Sequence, residues 1–138
     1  MKIFDATLGT LERALDVRLS RQTVLAGNLA NANTPGFVQR ELDFSAAMAA
    51  AAAPAAPEQA SAARPGDMPV AGGATRPPAP EQFVFEMTGA SPGLDGNTVD
   101  LDKASAAVAE NSLQYGAAAK AVARKLAILR YAASDGQA

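Results

Sequence analysis

The 138-residue sequence contains no cysteine, no histidine and no tryptophan. Without cysteine there is neither a disulfide framework nor thiolate chemistry, and the redox compartment stays open. Without histidine there is no imidazole base or ligand. Catalysis would fall to Ser, Lys, Tyr or carboxylates, and none of these is arranged for it, so no enzyme activity and no cofactor are expected. The formal charge is −2 and the basic residues are scattered without interleaved aromatics, which argues against nucleic acid as a partner. No apolar run reaches membrane-spanning length, so direct membrane insertion is not expected. The N-terminus, MKIFDATLGTLERAL, lacks the continuous apolar core and small-residue cleavage site of a secretory signal.

What the chain has instead is alanine, at 34 positions, alongside only five Phe and two Tyr. Alanine buries little area per residue, so a monomer of this composition has a thin core. Such a chain gains most by packing its helices against other copies or other proteins.

Residues 4–32 are predicted to form one amphipathic helix. Phe4, Leu8, Leu11, Leu15 and Leu19 follow helical spacing, and Val24, Leu25 and Leu29 continue it. Gly27 weakens the interior of that helix and leaves room for another helix to approach. The helix stops at Thr34-Pro35-Gly36-Phe37. Pro35 has no N–H and holds Thr34 extended, while Gly36 supplies the positive φ of a type II turn. Asn28, Asn31 and Asn33 cluster before the turn, where their carboxamides can cap a helix end or bond a neighbouring backbone.

After the turn, Leu42 and Phe44 alternate with charges, giving a short strand or extended arm. The poly-alanine that follows allows helix as far as Ala53. Seven prolines then fall between 54 and 80, which excludes continuous helix or central strand and reads as a low-complexity linker, mobile in the free subunit. Phe83, Phe85 and Met87 alternate as one face of a strand, closed by turn signals at Ser91–Gly93 and Asp95–Asn97. The acidic run 95–102 resembles a calcium loop but fails its spacing, with Val99 at a ligand position and Asp100 at the glycine position. A turn and a helix N-cap at Thr98 or Asp100 explain it.

The last helix is predicted over 98–132. Leu101, Ala104, Val108, Asn111, Tyr115, Ala118, Val122, Lys125 and Leu129 alternate by three and four, a coiled-coil-like seam. Asn111 within it would fix register at some expense of stability. The fold class is therefore mainly α, with long N- and C-terminal helices packing as a coiled-coil-like pair and a short β, irregular and low-complexity middle. The segments are 1–33, N-terminal helix; 34–45, turn and arm; 46–82, Ala/Pro-rich linker; 83–97, strand and turns; and 98–138, C-terminal helix.

The wording NLANANTPGF resembles the signature of the axial proteins of the bacterial flagellum. The flanking blocks RQTVLAGNLANANTPGFVQRELDF at 21–44 and DGNTVDLDKASAAVAENSLQYGAAAKAVARKLAILRYA at 95–132 look like the B-type basal-body rod proteins of the proximal rod. The likeness covers both ends of the chain and leaves the middle unmatched. It implies a subunit whose paired helices polymerise in an inner tubular layer of the periplasmic rod, the drive shaft between inner-membrane ring and hook. It further implies export by the flagellar type III apparatus without a cleaved signal. Implied partners are other copies, other rod proteins, the ring adaptor subunit and the inner-membrane ring protein. On this reading Leu8, Leu11, Leu15, Leu25, Leu29, Leu101, Val108, Tyr115, Val122 and Leu129 line the assembly seams. Asn111 fixes register, Asn28, Asn31 and Asn33 fix the joint between subunits, and Pro35-Gly36 turns the chain outward. Another proximal rod subunit shares NTPGF, though ENSLQY at 110–115 and DGNTVDLD at 95–102 favour the B-type. A free helical adaptor or secreted effector would instead form a stoichiometric complex.

Overall fold

Two antiparallel helices carry the chain, and a small hairpin with a short helix fills one side of them. The computed structural model describes residues 6–53, 78–87 and 92–134. In order they form α1 (Ala6–Ala30), β1 (Arg40–Leu42), α2 (Phe44–Ala52), a 3-10 turn (Pro80–Phe83), β2 (Val84–Glu86) and α3 (Leu101–Ala133). The expected architecture, a mainly helical chain with its first and last helices packed together, holds. Phe4 and residues 54–77 of the linker expected over 46–82 lie outside the described residues.

The expected turn is present: Phe37 N–H donates to Thr34 C=O at 3.2 Å, and Gly36 sits at φ 71°. Asp100, one of the two N-caps anticipated, starts α3, its Oδ1 accepting from Asp102 and Lys103 N–H at 3.1 Å each. The Lys103 amide bond chiefly, then the Lys103 side chain, hold the Asp100 carboxyl below the usual carboxylate range.

Three expectations are corrected. Leu19 was placed on the buried stripe of α1 but is 57 % exposed, whereas Val17, off that stripe, is 1 % exposed. The reason is that α1 packs on two sides: α3 takes one face, and Val17 turns to the neighbouring face, where it meets Leu42 and Ala47 with Phe44, Met48, Phe83 and Val84 around them. Residues 46–52, grouped with the linker although their poly-alanine allows helix as far as Ala53, are a packed helix, because alanine lets α2 lie close over Val17; Asp43 caps it by accepting from Ala46 N–H at 2.8 Å. Finally, Phe83, Phe85 and Met87 do not share a buried face. The turn begun by Pro80 absorbs Phe83, so the strand starts at Val84, and it is Val84 that joins Phe83 against the core while Phe85 is 49 % exposed.

The hairpin is antiparallel, with Arg40 opposite Glu86, Glu41 opposite Phe85 and Leu42 opposite Val84. Along α3, Ala104 and Asn111 are buried against α1, and Val108, Ala118, Val122, Lys125 and Leu129 are half-buried. Leu101 and Tyr115 of the expected seam are exposed.

Candidate functional site

The stretch 28–37 and the stretch 95–99 close on one another, and asparagine side chains make the closure. Helix α1 ends with carbonyls that have no further turn to bond. Asn97, from the loop ahead of α3, adds a donor: its Nδ2 lies 2.9 Å from the carbonyl oxygens of Asn31, Ala32 and Thr34, of which the first and last also accept from Thr34 and Phe37 N–H. Its Oδ1 accepts from Val99 N–H at 2.7 Å, so the whole carboxamide is engaged at 6 % exposure. Around it, Gly36 N–H donates to Asp95 C=O and Thr98 N–H to Phe37 C=O, both at 3.0 Å. Thr98 Oγ1 accepts from Gln39 N–H at 2.8 Å. Gly96 is required by its φ of 78°, which L side chains rarely adopt; a Cβ there would make only ordinary contact with Gly36 Cα, at 3.5 Å.

Asn28 works in a different way. In β1, Gln39 C=O and Asp43 N–H bond the opposite strand, so the N–H and C=O of Arg40 point away from it. Asn28 receives both, with Nδ2 donating to Arg40 C=O at 2.6 Å and Oδ1 accepting from Arg40 N–H at 2.9 Å. One side chain thereby replaces a missing strand and fastens the hairpin to α1. Asn31 folds back on its own helix, donating to Gly27 C=O at 2.8 Å and accepting from Thr34 Oγ1 at 3.2 Å. Asn33, Thr34, Pro35 and Gly36 are exposed, and Phe37 is half-buried.

A second polar lock ties the helices midway. Asn111 Nδ2 donates to Arg18 C=O at 3.0 Å and to Gln22 Oε1 at 2.8 Å. Arg18 donates in turn to Gln114 Oε1 and lays its guanidinium over Phe44, 4.7 Å from the ring centroid, so that it reaches both α3 and α2. Arg21 pairs with Glu41 at 2.7 Å. Asn111 Oδ1 has no partner, and its residue lines a groove of about 250 Å³ with Leu19, Gln22, Ser112 and Tyr115.

Sequence reasoning set Asn28 and Asn111 at the assembly interface; both are 1 % exposed and bonded inside the chain. It missed Asn97, read only as part of a turn, and Arg18. The available signal for Asn97 was its place after Gly96 in DGNTVDLD, a carboxamide at a turn that also opens a helix. Leu8 and Leu25 are buried, Leu11, Leu15 and Leu29 half-buried. Among the described residues no three His, Cys, Asp or Glu side chains gather as a metal site, and no helix is long and apolar enough to cross a membrane. The arrangement fixes positions and angles rather than moving protons.

Comparison with known proteins follows the same residues. The profile of a family described as flagella basal body rod protein matches residues 8–37, that is, α1 and its closing turn. The chain is similar to the flagellar basal body rod protein FlgB of Escherichia coli, with 36 % identity over 80 % of each chain. It is 35 % identical to the protein of that name from Yersinia enterocolitica over 80 % of this chain and 81 % of that one. The Cereibacter sphaeroides protein of the same name is 35 % identical over 81 % of each.

Proposed function

Because this chain belongs to the family of flagellar basal body rod proteins, we propose that it is a structural subunit of the proximal rod, polymerising through α1 and α3 into the drive shaft that carries torque from the inner-membrane ring to the hook. The role is mechanical and not catalytic, and flagellum-dependent motility requires it. Its partners are further copies, other rod proteins, the ring adaptor subunit and the inner-membrane ring protein. It reaches the periplasmic rod through the flagellar type III export apparatus without a cleaved signal.

The observation that carries this reading is the asparagine joint. It sets the antiparallel pair from one end, leaving Leu19, Leu101, Leu113, Tyr115, Leu126, Ile128 and Tyr131 exposed along the helices. Among the described residues the main cluster buries Val17, Leu42 and Ala47, and a chain with so many apolar side chains outside it completes its packing against neighbours. Ordering is then coupled to assembly, so the contacts that stabilise the subunit also stabilise the rod. Torque passes through many helix–helix contacts in parallel.

Electron microscopy of basal bodies from a strain lacking the gene tests the reading. Rings without rod or hook are the expected result; complete rods and hooks would overturn it.

A further inference from the structure

The two ends of the helix pair differ in charge and in shape. Where α3 begins, Asp95, Asp100 and Asp102 are exposed together, and Lys103 bonds Asp100 at 3.2 Å. Toward its other end α3 carries Lys120, Arg124, Lys125 and Arg130, and no acidic residue occurs from 111 to 134. From Leu101 to Lys125 the helix rises roughly 36 Å, more than three Debye lengths at physiological salt, so the two charge clusters act as separate ends.

Each end also has a shape. Leu94 forms the tip of the loop at the acidic end and is fully exposed, with Asp95 beside it. Asp95 Oδ1 accepts from Asn97 N–H at 3.1 Å, a bond that leaves its second oxygen unused. At the basic end, Ala121, Arg124, Lys125, Ile128 and Leu129 of α3 line an open, shallow hollow of about 500 Å³. Ile128 is 68 % exposed there. One end is an aliphatic knob with a carboxylate; the other is an aliphatic hollow with cations.

We propose that Leu94 of one copy of this chain seats in the Ile128–Leu129 hollow of the next, with the Asp95 carboxylate against Arg124. The inference rests on the rod reading and names one contact within it. Knob and hollow lie on different parts of one surface, so the contact is heterologous: it leaves a free knob and a free hollow after every addition and propagates instead of closing as a dimer. Apolar seating supplies the affinity, and the charges select orientation, because reversing a copy sets cations against cations.

The test uses the purified full-length chain in sedimentation experiments at low and high salt. Concentration-dependent association that weakens with salt is expected. Leu94→Lys sets a cation against the cations of the hollow and weakens association about tenfold or more, as does Arg124→Glu. Both positions are exposed, so helix content and denaturation midpoint stay unchanged in both variants. The contact is overturned if either single variant sediments like the unmodified chain. Binding of a different rod protein, and not of a second copy, through these residues overturns it equally. Normal swimming of both single variants, in a species whose deletion strain builds no rod, would sink the contact and leave the rod reading standing; complete rods in the deletion strain would sink the reading itself.

Discussion

At the joint, Asn28, Asn31, Asn97 and Thr98 use nearly every polar atom they own on a named backbone partner. Along the second half of α3, beyond Gln114, alanines and half-buried Val122 and Leu129 make the seam, while Leu126, Ile128 and Tyr131 face outward. The first region specifies one geometry within the chain. The second offers surface without specifying who covers it. A subunit that must be threaded out and then built into a polymer gains from that division: hydrogen bonds set the angle of the helix pair, and apolar area is left for neighbours.

The comparison breaks most readily at Asn97. Replacing it with Ala leaves Ala32 C=O without its donor and Val99 N–H without its acceptor, and takes a second donor from Asn31 and Thr34 C=O, in a site only 6 % exposed. Loss of a buried partner costs about 1–3 kcal/mol for each group stranded, and water reaches some of them after relaxation, so a loss of about 3 kcal/mol is expected. That is a large part of the stability of a small domain. Urea denaturation of the purified chain measures it, and a change below about 1 kcal/mol would mean that the joint follows from helix packing instead of setting it.

Much of this division was legible in the residues. Pro35 and Gly36 announce their turn through backbone chemistry that no tertiary context alters, and the three-four spacing of α3 marked the positions that turn out least exposed, apart from Leu101 and Tyr115. Val17 was not legible, because its burial depends on α2 and the hairpin arriving on a second face of α1, and a single helical stripe carries no sign of a second partner. Asn97 was hidden for a related reason. Its three acceptors are more than sixty residues away, and a turn-forming asparagine looks the same whether its carboxamide meets water or a helix end. Phe85 misled because strand alternation assumes a starting point, and the turn from Pro80 shifted it by one residue.

Asn111 sharpens the comparison, since it is the one buried asparagine left with an unpartnered oxygen. Asn111→Leu removes donors to Arg18 C=O and Gln22 Oε1. The first keeps its place in the helix ladder and the second belongs to a flexible side chain at the groove. A well-packed apolar residue in a helix seam offsets such losses, so stability should stay within about 1 kcal/mol of the unmodified chain. What should change is register. A cysteine pair at Arg18 and Gln114 would then crosslink less completely, while a pair at Arg18 and Ala118, one turn further along α3, would begin to crosslink. A loss as large as that at Asn97 would place Asn111 in the same class as the joint.

Gly27 gives the smallest effect and the clearest separation of the two kinds of region. It lies within α1, and a Cβ built on it meets nothing within 4 Å, so nothing in the described chain requires glycine there. It opens instead onto a groove of about 360 Å³ between α1 and the hairpin, bordered by Thr23, Phe37 and Val84. Helix propensity alone favours alanine at such a position by roughly 1 kcal/mol. Gly27→Ala is therefore expected to raise the denaturation midpoint of the free subunit while reducing its incorporation into rods, because the added methyl stands where a neighbouring backbone would approach. Opposite signs from one methyl group cannot come from a change inside the subunit. A stabilised subunit that assembles normally would assign the groove to solvent, and a destabilised one would show that the joint includes the Gly27 position as well as Asn28.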